Sequence, residues 1–168
     1  MVWIILEQKL KIFLKGCEKL VIMSIGNELR GDDGLGPLFA KKFSKIIENS
    51  QYVAVIDGGM VPENFTSTLR DEKPSHVILI DVVEMDETLG QTEFIEKERI
   101  EEYNVSTHSM PISFLIKYLE TTASFKIILL GIQPKSMILG DEISPEIEKS
   151  VNNLNNTFKK ILMELKLI

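Results

Sequence analysis

Apolar and polar positions alternate along this chain in two rhythms. Near the start, Trp3, Leu6, Leu10, Phe13 and Leu14 recur every three or four residues among Glu7, Lys9, Lys11 and Lys15, the spacing of an amphipathic helix. Thereafter short, nearly continuous apolar runs appear at Leu20 to Ile25, Tyr52 to Ile56, Val77 to Ile80 and Ile127 to Leu130. Runs of that length without polar alternation suit strands buried on both faces, as in a parallel sheet. Helical periodicity lies between them, at Leu35 to Ile47, Glu63 to Leu69 and Pro111 to Leu119. A last helix is expected from Ser144-Pro145-Glu146-Ile147, which supplies an N-cap residue, a proline at the first helical position and an early acid, and continues through Leu165. Thr92 to Ile95 adds an edge strand. The βαβα order predicts an α/β fold, a three-layer α/β/α arrangement around an open, mostly parallel twisted sheet. No repeat, low-complexity tract or Pro/Gly/Ser linker divides the chain, so residues 1–168 read as a single α/β domain with 1–17 as an N-terminal helical extension.

Composition narrows the function. The chain has 168 residues, 44% of them hydrophobic and 26% charged, which supports one ordinary core without a metal or disulfide staple. Nineteen Lys and Arg against 25 Asp and Glu leave a net charge of −6, opposing the phosphate neutralisation on which nucleic-acid affinity depends. The one cysteine, Cys17, read as part of the N-terminal helix, forms neither an internal disulfide nor a multi-thiolate zinc site, and fits a reducing cytoplasm. No apolar run approaches the roughly 18 residues a membrane helix requires. The expectation is a cytoplasmic monomer without nucleic-acid or membrane partners.

Ligands of open α/β sheets bind beyond the carboxyl ends of the strands. The first such crossover reads Gly26-Asn27-Glu28-Leu29-Arg30-Gly31-Asp32-Asp33-Gly34-Leu35-Gly36. Its glycines do not fall as GxGxxG, no GK[ST] follows, and Asp32 and Asp33 put negative charge where a phosphate would sit, so a nucleotide-binding reading is disfavoured. Either aspartate alone can cap the following helix, leaving its neighbour for other work. Asp57, followed by Gly58-Gly59, ends the second strand, and Asp81 ends the third. Of the two histidines, His76 reads as a loop residue at the opposite edge, whereas His108, in Ser106-Thr107-His108-Ser109-Met110, approaches the ligand edge. Asp33, Asp81 and His108 would form a mixed oxygen and nitrogen set suited to a borderline divalent ion such as nickel or zinc. A serine elbow of the GxSxG type is absent from the sequence, and no nucleophile stands near this edge.

Five blocks in register carry a resemblance. Gly26 to Pro37, Ile56-Asp57-Gly58-Gly59 with Pro62-Glu63-Asn64, Ile80-Asp81, Thr107-His108-Ser109-Met110-Pro111 and Leu130-Gly131-Ile132-Gln133-Pro134 resemble the signatures of the nickel-iron hydrogenase maturation endopeptidases. The branch processing large subunits of formate-hydrogenlyase-type hydrogenases is the most similar. This resemblance implies a cytoplasmic peptide hydrolase that removes a C-terminal extension from the large-subunit precursor after nickel insertion. It implies metal ligation by Asp33, Asp81 and His108, and a role for Asp57 in positioning or assisting the substrate. Nickel would be the ion carried by the substrate, with zinc or cadmium able to replace it in a crystal. Two routes to the cut stay open: the ion polarises the scissile carbonyl and activates a water, or it only docks the precursor while a carboxylate activates the water. The competing reading is a non-catalytic nickel-binding chaperone of hydrogenase assembly with the same ligands.

Overall fold

The computed structural model describes residues 1–103 and 110–168, and in it the buried apolar runs assemble into one five-stranded sheet of order β2-β1-β3-β5-β4. The strands are β1 (Leu20–Ser24), β2 (Val53–Asp57), β3 (His76–Val82), β4 (Thr92–Ile95) and β5 (Lys126–Ile132). β1 pairs in parallel with both β2 and β3, and β3 with β5, while β4 closes the far edge antiparallel to β5. The helices are α1 (Val2–Phe13), α2 (Leu35–Ile46), α3 (Thr66–Asp71), α4 (Ile112–Thr122) and α5 (Pro145–Glu164). The three-layer α/β/α expectation is met.

Strand side chains alternate between two cores because successive residues point to opposite faces. Leu20, Ile22, Ile78, Ile80 and Leu130 face α1, α2 and α5. Val21, Met23, Val77, Leu79 and Leu129 face α3 and α4. On the first face Phe39 and Phe43 of α2 meet Phe158 of α5, with ring centroids 6.0 and 5.7 Å from the Phe158 ring. The predicted N-terminal helix buries Leu6, Leu10 and Leu14 in this core, one turn apart along one stripe. Glu7 joins it to α5: its carboxylate accepts from Lys160 at 2.8 Å and from Lys11 at 3.0 Å. Those two ammonium groups hold the half-buried Glu7 carboxyl below its ordinary range.

Several expectations change in detail. The segment read as a helix from Glu63 opens instead with a 3-10 turn, Pro62–Phe65, before α3. Ser144 occupies the N-cap position of α5, but its hydroxyl makes no capping hydrogen bond. Cys17 lies beyond the C-terminus of α1, in the connection to β1, where its sulfur accepts a weak hydrogen bond from Ser75 Oγ at 3.7 Å. His76 is not a loop residue: it is the first residue of β3, 3% exposed, with its ring edge-on to Phe13 at 5.2 Å. The Phe13 ring of α1 covers the imidazole, so the buried run extends one residue beyond the apolar stretch. Among the described residues, no helix is long and apolar enough to cross a membrane.

Candidate functional site

The strand order reverses between β1 and β3: from β1 the chain moves outward to β2, then returns to place β3 on the other side. Such a switch point opens a crevice at the carboxyl ends of the two strands, because their following connections leave in opposite directions. Asp33 and Asp81 belong to these two strand ends.

Asp33 sits in a 3-10 turn, Gly31–Gly34, that follows β1 and packs against β3. Its side chain is 1% exposed, and Oδ2 accepts the Asn27 N–H at 3.1 Å. The turn folds back tightly over the end of β1. A Cβ on Gly26, whose φ is +149°, would lie 1.9 Å from the Asp33 carbonyl oxygen. That position therefore requires glycine, both for its backbone conformation and for the contact. The N–H of Ile25 donates to the Ile80 carbonyl at 2.8 Å, so the chain leaving β1 is tied to the residue immediately before Asp81.

Asp81 lies inside β3, one residue before its end, and is also 1% exposed. Its Oδ1 accepts the N–H of Val82 at 2.8 Å. Asp81 follows Val77 and Leu79 on the face toward α4, and its register partner on β5 is Gly131. A Cβ on Gly131 would meet the Ile95 side chain at 2.5 Å and Val83 at 3.0 Å, so glycine lets β4 and the end of β3 close up beside the carboxylate. Two carboxylates removed from water at neighbouring strand ends are costly unless hydrogen bonds or a cation compensate them.

Asp57 ends β2, on the same edge but on the far side of β1. It is exposed, and Oδ1 accepts the Gly59 N–H at 3.1 Å, the geometry of a local Asx turn. The Asp57-Gly58-Gly59 turn is stitched to β1 by Gly58 N–H to Ser24 O at 2.8 Å and Gly26 N–H to Gly59 O at 3.0 Å. The fold thus brings Asp33 and Asp81 to adjoining connections and sets Asp57 one strand away at the rim. His108, the third expected ligand, lies outside the described residues. Among the described residues, no group of three or more His, Cys, Asp or Glu side chains is placed to hold a metal ion. The described pair is chemically suited to one, as buried oxygen donors that accept charge from a divalent cation.

Two residues escaped the sequence reading. Asp32 does not cap α2, whose N-cap is Gly34; its carboxylate accepts three backbone N–H groups from the connection after β5. A GDDG turn alone does not reveal which aspartate points outward along the edge. Gln133, 5% exposed, organises the connection beyond Asp81: Oε1 accepts the Met85 N–H at 2.7 Å, and Nε2 donates to Glu84 at 3.0 Å. The available signal was its place in the Leu130-Gly131-Ile132-Gln133-Pro134 block of the resemblance, which gave the amide no role.

At the opposite end of the sheet, Ser75 Oγ contacts His76 Nδ1 at 2.9 Å and donates to Cys17. Burial, reinforced by the nearby Lys126 charge, pushes the imidazole below its ordinary value, and burial pushes the Cys17 thiol up. Both groups are held toward their neutral forms, far from the switch point, so the thiol is a poor nucleophile there.

Comparison with known proteins bears on this architecture. The HycI hydrogenase maturation protease family model matches residues 37–161. A candidate hydrogenase maturation protease of Methanocaldococcus jannaschii is 42% identical over 160 residues, covering 92% of this chain and 94% of its own. The hydrogenase 3 maturation protease of Escherichia coli K12 is 36% identical over 115 residues, covering 68% of this chain and 72% of its own. In structure, the [NiFe] hydrogenase maturation protease HycI of Thermococcus kodakarensis superposes with a TM-score of 0.85 at 27% identity, spanning 92% of this chain and 99% of that one. The switch-point sheet with its acidic connections, joined to these likenesses in sequence and shape, makes this chain a member of the hydrogenase maturation protease family of peptide hydrolases.

Proposed function

We propose that this protein cleaves the C-terminal extension from a nickel-iron hydrogenase large-subunit precursor once nickel has been inserted, and that it recognises the precursor through that nickel. The observation carrying the reading is the pairing of Asp33 and Asp81, each 1% exposed, on adjoining connections at the β1/β3 switch point. Two inward-held oxygen donors suit a cation that arrives with the substrate, and His108 would add a nitrogen donor. Nickel is thus part of the substrate in this reading. A divalent ion held there would supply Lewis-acid polarisation of a carbonyl and activation of a water, or would only dock the precursor while a carboxylate activates the water. For their part, Asp33 and Asp81 supply docking charge that an empty precursor cannot use, so recognition reports metal insertion as a difference of two affinities. Asp57, exposed at the rim beside a glycine pair that lets an extended backbone approach, positions the substrate.

The test is incubation with nickel-loaded and nickel-free precursor, with mass spectrometry reading release of a C-terminal peptide. Loss of the peptide from the loaded form alone is expected. Stable binding with no loss of mass would instead identify an assembly chaperone. Replacing Asp33, Asp81 and His108 one at a time, and measuring precursor binding apart from cleavage, separates docking from catalysis: a variant that binds normally but does not cut has lost chemistry alone.

A further inference from the structure

A cleft of about 460 Å³ opens beside the Asp33 turn. Glu28, Gly31 and Gly34 line it from the connection after β1, Lys41 from α2, and Asp141 and Glu142 from the connection between β5 and α5. This last connection, residues 133–144, contains no helix or strand, so its course must be set by contacts elsewhere. They come from the turn. The Asp32 carboxylate, 1% exposed, accepts the N–H of Lys135 at 2.6 Å and of Ser136 at 3.3 Å on Oδ2, and the N–H of Ser144 at 2.7 Å on Oδ1. Its own N–H donates to the Ser136 carbonyl at 2.9 Å, and the Gly31 N–H donates to Asp141 O at 3.1 Å. Gly31, with φ +54°, completes the junction: a Cβ there would stand 2.7 Å from the Ser136 carbonyl. One buried side chain therefore grips both ends of the connection, and hydrogen bonds to a carboxylate are roughly twice as strong as neutral ones.

We infer that Asp32 is a positioning residue for peptide hydrolysis: it holds the β5–α5 connection as one wall of a substrate cleft whose other wall is the turn bearing Asp33. The cleft seats the precursor segment flanking the scissile bond. Its lining carries four carboxylates, Glu28, Asp141, Glu142 and Glu148, against the Lys41 ammonium, so the segment it takes is neutral to basic. The inference rests on the cleavage reading above and adds to it the place where the peptide lies. Contacts made by such a wall exist equally before and during bond breaking, and their loss raises KM while sparing kcat.

Steady-state cleavage of the nickel-loaded precursor is measured for the wild type, Asp32→Asn and Glu142→Lys, with hydrogen exchange followed at the amides of Lys135, Ser136 and Ser144. Asp32→Asn keeps the size of the side chain but removes its charge; Glu142→Lys reverses an exposed charge on the wall and leaves the staple intact. Both should raise KM by about tenfold, the effect of losing roughly one charge-assisted hydrogen bond, with kcat within about twofold. Asp32→Asn should also lose exchange protection at the three amides. If Asp32 is merely structural, its variant has less folded enzyme, so apparent kcat falls at unchanged KM. That result, or an unchanged KM in either variant, overturns the inference. Should Asp32→Asn not fold, Glu142→Lys still decides whether the cleft seats substrate. A wild type that fails to cut the precursor defeats the cleavage reading instead.

Discussion

The two ends of the sheet bury ionisable groups in opposite ways. At the carboxyl end, Asp32 and Asp33 accept backbone N–H groups and Asp81 accepts the N–H of its own neighbour, so polar partners stand at the points where negative charge is withdrawn from water. At the amino end, Ser75, His76 and Cys17 lie under α1 with the imidazole pushed down and the thiol pushed up, both toward neutrality. Burial alone therefore does not mark a site. What distinguishes the carboxyl end is that its connections leave β1 and β3 in opposite directions, the arrangement that opens a crevice in such sheets, whereas at the amino end Phe13 of α1 packs on His76.

The sharpest way to break this contrast is to remove charge at each end. Asp33→Asn and Asp81→Asn should each lower precursor cleavage by about 10²-fold or more, with a small change in melting temperature, read by peptide release and calorimetry. Cleavage near the wild-type rate in both would return the carboxyl end to the status of its opposite. Next in size is Gly26→Ala. The added methyl meets the Asp33 carbonyl at 1.9 Å in a backbone conformation that disfavours side chains, so stability should fall by about 1–3 kcal/mol in urea unfolding, together with activity. A smaller effect tests the amino end. Because the folded state holds His76 below its ordinary value near 6.5, the unfolded chain binds the extra proton first as pH falls. The stability associated with neutral His76 is thus fully present above about pH 6.5 and is lost as pH falls through the folded value, with a slope of at most about 1.4 kcal/mol per pH unit. In His76→Gln this curvature should disappear, whereas a wild type and variant with parallel stability curves would contradict the assignment. Least of all, Cys17→Ser should leave cleavage unchanged and shift stability by about 1 kcal/mol or less. Alkylation of the native thiol should be slow at neutral pH and quicken as pH rises.

Much of this could be read from residue order. The apolar runs located every parallel strand to within one or two residues, and the Ser144-Pro145 start located α5. Asp57 and Asp81 were visible as carboxylates where those runs stop. Asp33 was harder, since Asp32-Asp33 offers two acids for one helix start and a linear pattern has no means of telling which one the β5–α5 connection engages. His76 was misplaced for a related reason. A polar residue at the margin of an apolar run reads as loop unless something else covers it, and the cover, Phe13, lies 63 positions earlier in the chain. Gln133 escaped because a buried amide is informative only once its partners at 84–87 are known.

The order of residues determined the elements, the two-sided burial of the strands and the acids at their ends, because local periodicity and β-rich composition report how each segment meets apolar surroundings. Tertiary structure alone decided that β1 lies between β2 and β3, that Asp33 and Asp81 stand on adjoining connections, and that Asp32 faces a connection more than a hundred positions away. These outcomes depend on hydrogen bonds and close backbone approaches between distant segments. Such contacts take their geometry from the packed sheet, and no local run of side chains encodes them.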